Sequence, residues 1–252
     1  MTTMDCGTVC QKCKGTGWFF VDDNTVKECD CGLLERERMA SKLQFASIPE
    51  TYKNVSLKDL KTSLYNKRES KDVFKAIAHL VKWYLEHLDE NIEKGKGLYF
   101  WSNTKGSGKT MTATALANEL INNHRKYVKY ATSLDILDEI RSTYGNRDSE
   151  ENESKLLSDL AKAEFLVIDD FGTERATDWA GEKFYQIVNK RYINKKVTFF
   201  TSNYDLEKLK YDDRITNRIK ERSFIAHFPE ESVREVIAKR ENDVSEIYGG
   251  KQ

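Results

Sequence analysis

Residues 97–110, "GLYFWSNTKGSGKT", decide the fold of this chain. An apolar run with strand character ends in a glycine-rich turn, and Lys109 and Thr110 then open a helical segment. This order builds a phosphate-binding loop, because the backbone N–H groups and the dipole at a helix N-terminus both favour an anion. The stretch therefore predicts a nucleotide site.

The loop departs from the pattern G-x4-G-K-T at its first position, which holds Asn103 instead of glycine. Asparagine is the non-glycine residue that best tolerates a left-handed backbone, so we interpret the replacement as sterically conservative. In this pattern Lys109 reaches the β- and γ-phosphates and Thr110 holds Mg²⁺. We expect ATP or ADP to contact one continuous run: Asn103, Thr104, Lys105, Gly106, Ser107, Gly108, Lys109, Thr110 and Met111.

Residues 165–172, "FLVIDDFG", predict the second part of the nucleotide site, a Walker B motif. Four apolar residues indicate a buried strand, and two carboxylates end it, although unpaired buried charge is costly. We predict that Asp169 binds Mg²⁺ and that Asp170 orients or deprotonates the attacking water. Many ATPases of this architecture carry glutamate at the second position. Because Asp170 is one methylene shorter, we expect slow intrinsic hydrolysis.

Polar residues further along the chain are candidates to complete the site. Asn203 ends the run "TFFTSN", where its amide can hold the lytic water or the γ-phosphate. Arg214 and Arg218 lie at i and i+4 on one helix face in "DDRITNRIKERS". They form either a solvated face with the preceding aspartates or an arginine finger for a neighbour's γ-phosphate. Arg234, in "EESVREVI", begins a terminal helix that can fold back over the nucleotide.

All five cysteines lie within the first 31 residues. Two close pairs separated by a loop suit a tetrahedral zinc site, and four thiolates leave no open coordination position for catalysis. The gap "WFFVDDNTV" predicts a short hairpin with its tip at residues 23–24. Cys6 is interpreted as a bystander. We predict structural Zn²⁺ on the other four cysteines: Cys10, Cys13, Cys29 and Cys31.

From residue 97 onward the chain alternates between predicted strands and helices. The strands are "GLYFWS", "KYVKYATS", "EFLVIDDFG", "VTFFTSN" and "FIAHF". This alternation predicts an α/β fold with a parallel, doubly wound sheet and ligands at the strands' carboxyl ends. We place a domain boundary between a cysteine module with its linker helix, residues 1–45, and the α/β domain, residues 46–252.

The sequence also predicts a helix before the first strand of the α/β domain and a loop between its second and third strands. Residues 70–94 form one long amphipathic helix, because apolar residues recur with helical spacing from Val73 through Ile77 and Val81 to Ile92. Residues 145–154, "GNRDSEENES", are predicted to form a polar loop.

The composition of the 252 residues is that of a globular chain, with 39% hydrophobic and 33% charged residues. Basic and acidic residues number 41 each, so no global charge attracts nucleic acid or a membrane. No apolar run approaches the length of about 20 residues that spans a bilayer. The first residues, "MTTMDCGTVC", lack a charged-then-apolar signal pattern. We therefore expect a cytoplasmic protein without a membrane partner.

With these motifs in order, the sequence resembles the AAA+ ATPases of the DnaC/DnaI helicase-loader family, in phage or prophage form, over nearly the whole chain. "CQKCKGTGW…CDCG" is similar to the cysteine module of DnaI-type loaders, and "SIPETYKNVSLKDL" to the stretch before their first strand. "GLYFWSNTKGSGKT", "AEFLVIDDFGTE" and "TFFTSNYDLEKL" resemble their Walker A, Walker B and sensor 1 blocks. By this resemblance Asn203 is sensor 1, Arg218 the arginine finger, with Arg214 less favoured, and Arg234 sensor 2.

The resemblance implies an AAA+ P-loop NTPase with a parallel five-stranded sheet behind a small zinc module. Such loaders bind the hexameric replicative helicase through that module and deliver it onto single-stranded DNA. ATP promotes self-association through ATP-bridged interfaces, and hydrolysis or release frees the helicase. Residues 131–147 resemble a helical insertion that contacts single-stranded DNA. Just before it, basic and aromatic residues interleave as on a strand-tracking surface or in an ordinary edge strand: Lys126, Tyr127, Lys129 and Tyr130.

Two other functions remain open. An IstB-type transposition-helper ATPase shares the same core but acts with a transposase on duplex DNA, and the cysteine module disfavours it. A nucleotide-gated adaptor would bind ATP with negligible hydrolysis, and Asn103 and Asp170 are the residues that keep this alternative open.

Overall fold

The computed structural model describes residues 10–22, 24–144 and 149–242. Cys6, residue 23 at the predicted hairpin tip, residues 145–148 and the tail after residue 242 lie outside these ranges. The strands are β1 Trp18–Asp22, β2 Thr25–Glu28, β3 Gly97–Trp101, β4 Val128–Thr132, β5 Phe165–Asp169, β6 Val197–Ser202 and β7 Ser223–His227. The helices are α1 Leu33–Ala46, α2 Arg68–Glu86, α3 Leu88–Lys94, α4 Lys109–Asn122, α5 Ser133–Ser142, α6 Ser149–Lys162, α7 Asp178–Ile193, α8 Asp213–Arg222 and α9 Val233–Glu241.

The main sheet has five parallel strands in the order β4-β5-β6-β3-β7. Strand β3 lies inside the sheet, with Leu98 opposite Phe199 of β6 on one side and Trp101 opposite His227 of the edge strand β7 on the other. The predicted five-stranded parallel sheet is therefore confirmed. Because the strands are parallel, their carboxyl ends meet at one edge, where the glycine-rich loop follows β3.

The two faces of the sheet are covered by separate sets of helices, which explains the nearly continuous apolar strands. On β3, Leu98 and Phe100 face a core shared with α2 and α4, whereas Tyr99 faces a core shared with α5, α7 and α8. This alternation follows the two-residue period of a strand. Helix α1 packs against α4 and the edge strand β4. The proposed boundary after residue 45 falls in the last turn of α1, and it stays a prediction.

The predicted helix over residues 70–94 is broken into two. Helix α2 ends at Glu86 and α3 begins at Leu88, because His87 has φ −112° and ψ 30° and its ring stacks on Trp83 at 4.7 Å between centroids. The expected apolar face is correct at Ile77 and Val81 but wrong at Val73, which is exposed.

The predicted polar loop over residues 145–154 is wrong from residue 149 onward, where α6 begins. The buried Leu157 and Leu160 anchor this helix to the core. Within residues 10–22, 24–144 and 149–242, no helix combines the length and apolar character that a membrane crossing requires.

Candidate functional site

The glycine-rich loop and the ends of β5 and β6 surround a cavity of about 430 Å³. Its lining brings together residues 105–111, Asp170, Asn203 and Arg234, all of which were predicted as site residues. Asn103 and Thr104 lie beside the cavity, where both hydrogen-bond to Glu230.

The loop depends on two glycines with left-handed backbones, Gly106 at φ 75° and Gly108 at φ 96°. Both are also tightly enclosed. A Cβ atom on Gly108 would lie 2.9 Å from the hydroxyl oxygen of Tyr65, and one on Gly106 would lie 3.0 Å from Cβ of Arg234. Glycine is therefore required here by conformation and by space.

The ammonium group of Lys109 is held inside the loop. It donates to the backbone oxygen of Thr104 at 3.1 Å and lies 3.3 Å from Oγ of Ser107. Burial lowers the pKa of Lys109, although the nearby Asp170 works in the opposite direction. Carbonyl and hydroxyl oxygens do not neutralise this charge, so a phosphate group in the loop would complete its environment.

Asp169 is 4% exposed and accepts hydrogen bonds from three hydroxyl groups. Thr110 Oγ1 lies 2.9 Å from Oδ1, the hydroxyl of Tyr130 lies 2.7 Å from Oδ2, and Thr201 donates to Oδ1. Thr110 and Asp169 thus lie together as the proposed Mg²⁺ ligands, and their hard oxygen donors fit that ion.

Tyr130 and Thr201 were not predicted to belong to this site. The interpretation of Tyr130 as part of a DNA-tracking surface is wrong, because its side chain is buried against Asp169. Burial and that carboxylate raise the pKa of Tyr130, so its hydroxyl remains a donor. Their position could have indicated this, because both residues lie near the carboxyl ends of β4 and β6, the strands that flank β5.

Two other residues of the basic–aromatic alternation, Tyr127 and Lys129, contact α1 or the residue that follows it. Lys129 donates to Oγ of Ser47 at 2.9 Å, and Lys42 lies over the ring of Tyr127 at 4.8 Å from its centroid. The edge-strand interpretation of this alternation is therefore the better one.

Asp170 adopts a left-handed backbone, with φ 54°, directly after β5. Its N–H group donates to Oγ1 of Thr201 at 3.0 Å, which holds this uncommon conformation, and the side chain lines the cavity. Burial, together with the neighbouring Asp169, raises the pKa of Asp170. Such outliers concentrate at functional sites because the surrounding structure must support them.

The carboxylate of Glu174, which was not predicted to belong to the site, stabilises the turn that contains Asp170. It is 7% exposed, accepts from the N–H of Gly172 at 3.2 Å, and lies within hydrogen-bonding distance of the Ser133 hydroxyl. Burial raises the pKa of Glu174. Because Ser133 opens α5, this contact connects the Asp170 turn to that helix.

The stretch before α2 covers the loop and forms an apolar wall of the cavity. Tyr65 donates to the backbone oxygen of Ser107 at 2.7 Å. Asn118 of α4 donates to the backbone oxygen of Tyr52 at 2.9 Å, which fixes that residue in the cavity lining beside Val233 and Ile237. An aromatic and aliphatic wall beside a phosphate loop suits a nucleotide base.

The predicted arginines differ in their placement. Arg234 lines the cavity beside the loop. Arg218 is not in that lining; its Nε donates to Oδ1 of Asn189 at 3.0 Å. Arg214 forms an ion pair with Asp212 at 2.9 Å. An arginine finger acts on a neighbouring subunit, so the role of Arg218 stays a prediction.

The four predicted cysteine ligands form one cluster, with all Sγ atoms within 4.8 Å of one another. The Sγ atoms of Cys10 and Cys29 are 3.8 Å apart, and those of Cys13 and Cys31 are 3.7 Å apart. Four sulfurs at about 2.3 Å from a tetrahedral Zn²⁺ would be about 3.8 Å apart. Burial opposes ionisation of Cys13, but the backbone N–H groups of Gly17 and Gly15 lower its pKa to about 7. The cluster fits zinc.

Residues 92–230, more than half of the chain, match the family model of the IstB-like ATP binding proteins. The chain belongs to this family. This IstB-like chain is 30% identical over 191 residues to the replicative helicase loader DnaC of Buchnera aphidicola, covering 73% of this chain and 72% of that protein. It is 26% identical over 219 residues to the phage-like element PBSX protein XkdC of Bacillus subtilis, covering 84% and 78%.

The crystal structure of the DnaC helicase loader superposes with a TM-score of 0.60 at 23% identity, covering 72% of this IstB-like chain and 100% of that one. The AAA+ fold and the resemblance to the DnaC/DnaI-type loaders are therefore confirmed, and ATP binding is the shared property of the family. The roles of individual site residues stay predictions.

We expect the purified protein to contain about one zinc ion per chain, because four cysteine sulfurs lie within 4.8 Å of one another, close enough to bind one tetrahedral ion. Replacing the two buried ligands together, Cys13→Ser with Cys29→Ser, should reduce the zinc content to below about a tenth. Cys6→Ser is the matched control and should keep the metal. Atomic absorption measures the content, and a double variant that retains zinc would contradict the assignment.

We expect Tyr130→Phe to weaken ATP binding about fivefold in the presence of Mg²⁺, because Asp169 loses a buried hydrogen bond that orients it. The loss should be smaller in EDTA, since Asp169 acts through the metal. Titration of a fluorescent ATP analogue measures both affinities. Tyr127→Phe, an exposed tyrosine three residues earlier in the chain, is the control. An equal loss with and without Mg²⁺ would refute the role of Tyr130.

Proposed function

We propose that this protein is an ATP-dependent loader that binds the hexameric replicative helicase and delivers it onto single-stranded DNA. The observation that carries the proposal is the combination of a four-cysteine hairpin module with an ATP-binding core homologous to DnaC loaders. The family model alone identifies the ATP-binding core, and the cysteine module is the feature that favours a loader.

In this proposal the nucleotide occupies the cavity with its phosphates in the glycine-rich loop. Lys109 binds the β- and γ-phosphates, and Thr110 and Asp169 hold Mg²⁺, which when bound neutralises charge on the phosphate oxygens. Asn203 contacts the γ-phosphate or the lytic water. Arg234 senses the nucleotide from the start of α9.

Self-association through ATP-bridged interfaces would bring Arg218 to a neighbour's nucleotide. The side chain is ordered in advance for such a role, because its guanidinium stacks on Tyr185 and Tyr192 with centroid distances of 5.2 and 5.4 Å. A pre-ordered arginine loses less rotamer entropy when it engages a phosphate.

A contact with single-stranded DNA is supported at the end of α5. Arg141 lies over the ring of Trp179 at 4.7 Å, and the indole N–H of Trp179 donates to the exposed Tyr144 hydroxyl at 3.1 Å. Bases stack on aromatic side chains while basic groups follow the phosphates. Arg147, which the resemblance also places in this insertion, lies outside the described residues.

The β1–β2 hairpin offers a surface for the helicase. Trp18 and Phe20 point to one face of β1, and Val26 of β2 pairs with Phe20. These residues, the hairpin face, are exposed, with Phe20 at 74%. Exposed apolar clusters of this kind mark protein interfaces. The chemistry of the hairpin face therefore favours a protein partner over DNA.

The module is positioned to transmit docking to the ATPase core through α1. Glu35 of α1 forms an ion pair with Arg125, and Lys42 of the same helix donates to the backbone oxygen of that arginine. Because α1 rests on α4, which begins at the nucleotide loop, movement of the module and the state of the loop can be coupled.

We expect Phe20→Ser to abolish a stable joint complex with the host's replicative helicase, because it removes the most exposed apolar anchor. Light-scattering chromatography with ATP and Mg²⁺ measures the complex. Val21→Ser is the matched control, since Val21 is also exposed but lies at the register irregularity between Phe20 and Asp22 and has no paired residue on β2. A Phe20→Ser variant that binds the helicase like the wild type would exclude docking through the hairpin face.

We expect Asp170→Glu to hydrolyse ATP several-fold faster than the wild type, because the longer side chain brings its carboxylate closer to the γ-phosphate. Asp170→Asn should reduce turnover about a hundredfold, since an amide does not accept the proton. Phosphate release measured with and without single-stranded DNA tests both, with Lys109→Ala as the blank. A protein with no turnover in any of these conditions would instead be a nucleotide-gated adaptor.

The IstB-type family model keeps the transposition helper as a second candidate. A pull-down with a replicative helicase in one arm and a transposase in the other separates the two functions. Nucleotide-dependent assembly on duplex DNA without helicase binding would favour the transposition helper.

A further inference from the structure

The segment after β7 runs along the nucleotide loop. We call residues 228–234 the brace. Phe228 donates its N–H to the backbone oxygen of Trp101 at 2.7 Å, just before the loop. Val233 donates its N–H to the backbone oxygen of Gly106 at 2.9 Å, within the loop. The brace is thus hydrogen-bonded to the loop's start and to its central turn.

Between these two points the carboxylate of Glu230 lies at the entrance of the loop. Its Oε1 accepts from the N–H of Asn103 at 3.0 Å and from Nδ2 of the same residue at 3.1 Å. Its Oε2 accepts from the Thr104 hydroxyl at 2.7 Å. His227 Nε2 lies 2.8 Å from Oε1 and completes the set.

These donors keep Glu230 ionised. Burial works against its ionisation, but hydrogen bonds from His227, Thr104 and Asn103 hold its pKa at about 2. Hydrogen bonds to an ionised carboxylate are roughly twice as strong as those between neutral groups. Glu230 does not line the cavity. Its carboxylate therefore binds the loop entrance and does not face the position of the phosphates.

Asn103 stands where the pattern of such loops has glycine. Glycine is used there for its backbone freedom, but Asn103 is not among the residues with positive φ in the described part of the chain. Its backbone and side chain both bind Glu230 instead. The missing glycine is therefore replaced by a contact from another part of the chain and not by a strained asparagine.

We propose that Glu230 is a positioning residue that takes over the function of the missing glycine, by fixing Asn103 and Thr104 so that the loop is preformed for phosphate. Fixing Thr104 also positions Lys109, because the Lys109 ammonium group donates to the backbone oxygen of Thr104. Because Arg234 follows Glu230 by only four residues in the brace, the same contact also helps to fix this cavity residue beside the loop. The inference rests on nucleotide binding at this loop, whichever partner the ATPase serves.

The test is a double-mutant cycle on Asn103 and Glu230. Glu230→Ala should weaken binding of a fluorescent ATP analogue about tenfold in the presence of Mg²⁺, because the three hydrogen bonds that the loop donates to this charged group are lost. In an Asn103→Gly background the same substitution should cost less than about twofold, because glycine no longer needs the carboxylate. Glu230→Gln, which keeps one acceptor oxygen, should be intermediate.

Glu235→Ala, exposed on α9 and remote from the loop entrance, is the matched control and should bind like the wild type. A Glu230→Ala loss of the same size in both backgrounds would show that the residue only supports the fold, and would overturn the inference. Unchanged binding by Glu230→Ala would also overturn it. If the wild type itself binds no nucleotide, the proposed function fails together with the inference.

Discussion

The buried carboxylate of Asp169 is the interaction on which the rest of the site depends. A charge that is 4% exposed is stable only when its surroundings are fully arranged, and here hydroxyl groups from α4, β4 and β6 converge on it. These elements come from both sides of β5 and from the helix that follows the loop. Satisfying one carboxylate therefore aligns the loop helix with the two strands that flank β5, and places Thr110 beside Asp169.

The glycine-rich loop is held from two further directions, by segments distant in the chain. Tyr65, before α2, donates to the loop from one side, and Glu230, after β7, accepts from its entrance on the other. Each contact also connects the loop to an element with a different proposed role. The Tyr65 contact connects the loop to the segment that forms the apolar wall of the cavity. The Glu230 contact connects it to Arg234 at the start of α9. The loop is thus connected directly to the apolar wall on one side and to the start of α9 on the other.

The residues predicted from the sequence and the residues found only in the structure differ in a physical way. Residues 105–111, Asp170 and Asn203 belong to short motifs in which a strand end and a turn are adjacent, so their chemistry is visible locally. Tyr130 is an ordinary strand residue in the sequence, and only the order of the strands brings it to Asp169. Glu174 lies next to the turn in the sequence, but only the tertiary structure brings its carboxylate to Ser133 of α5. The break at His87 was likewise invisible, because the apolar period of the helices continues through it.

By itself the sequence determined the alternation of strands and helices, the phosphate-binding loop, the paired aspartates and the spacing of the four cysteines. These features depend on side-chain periodicity and on backbone conformations that a few neighbouring residues impose. The tertiary structure alone decided how the loop accommodates Asn103, because its partner Glu230 lies 127 residues further along the chain. It also decided that Tyr130 points inward, since the face that a strand residue occupies is set by which strands pair beside it and by what covers them.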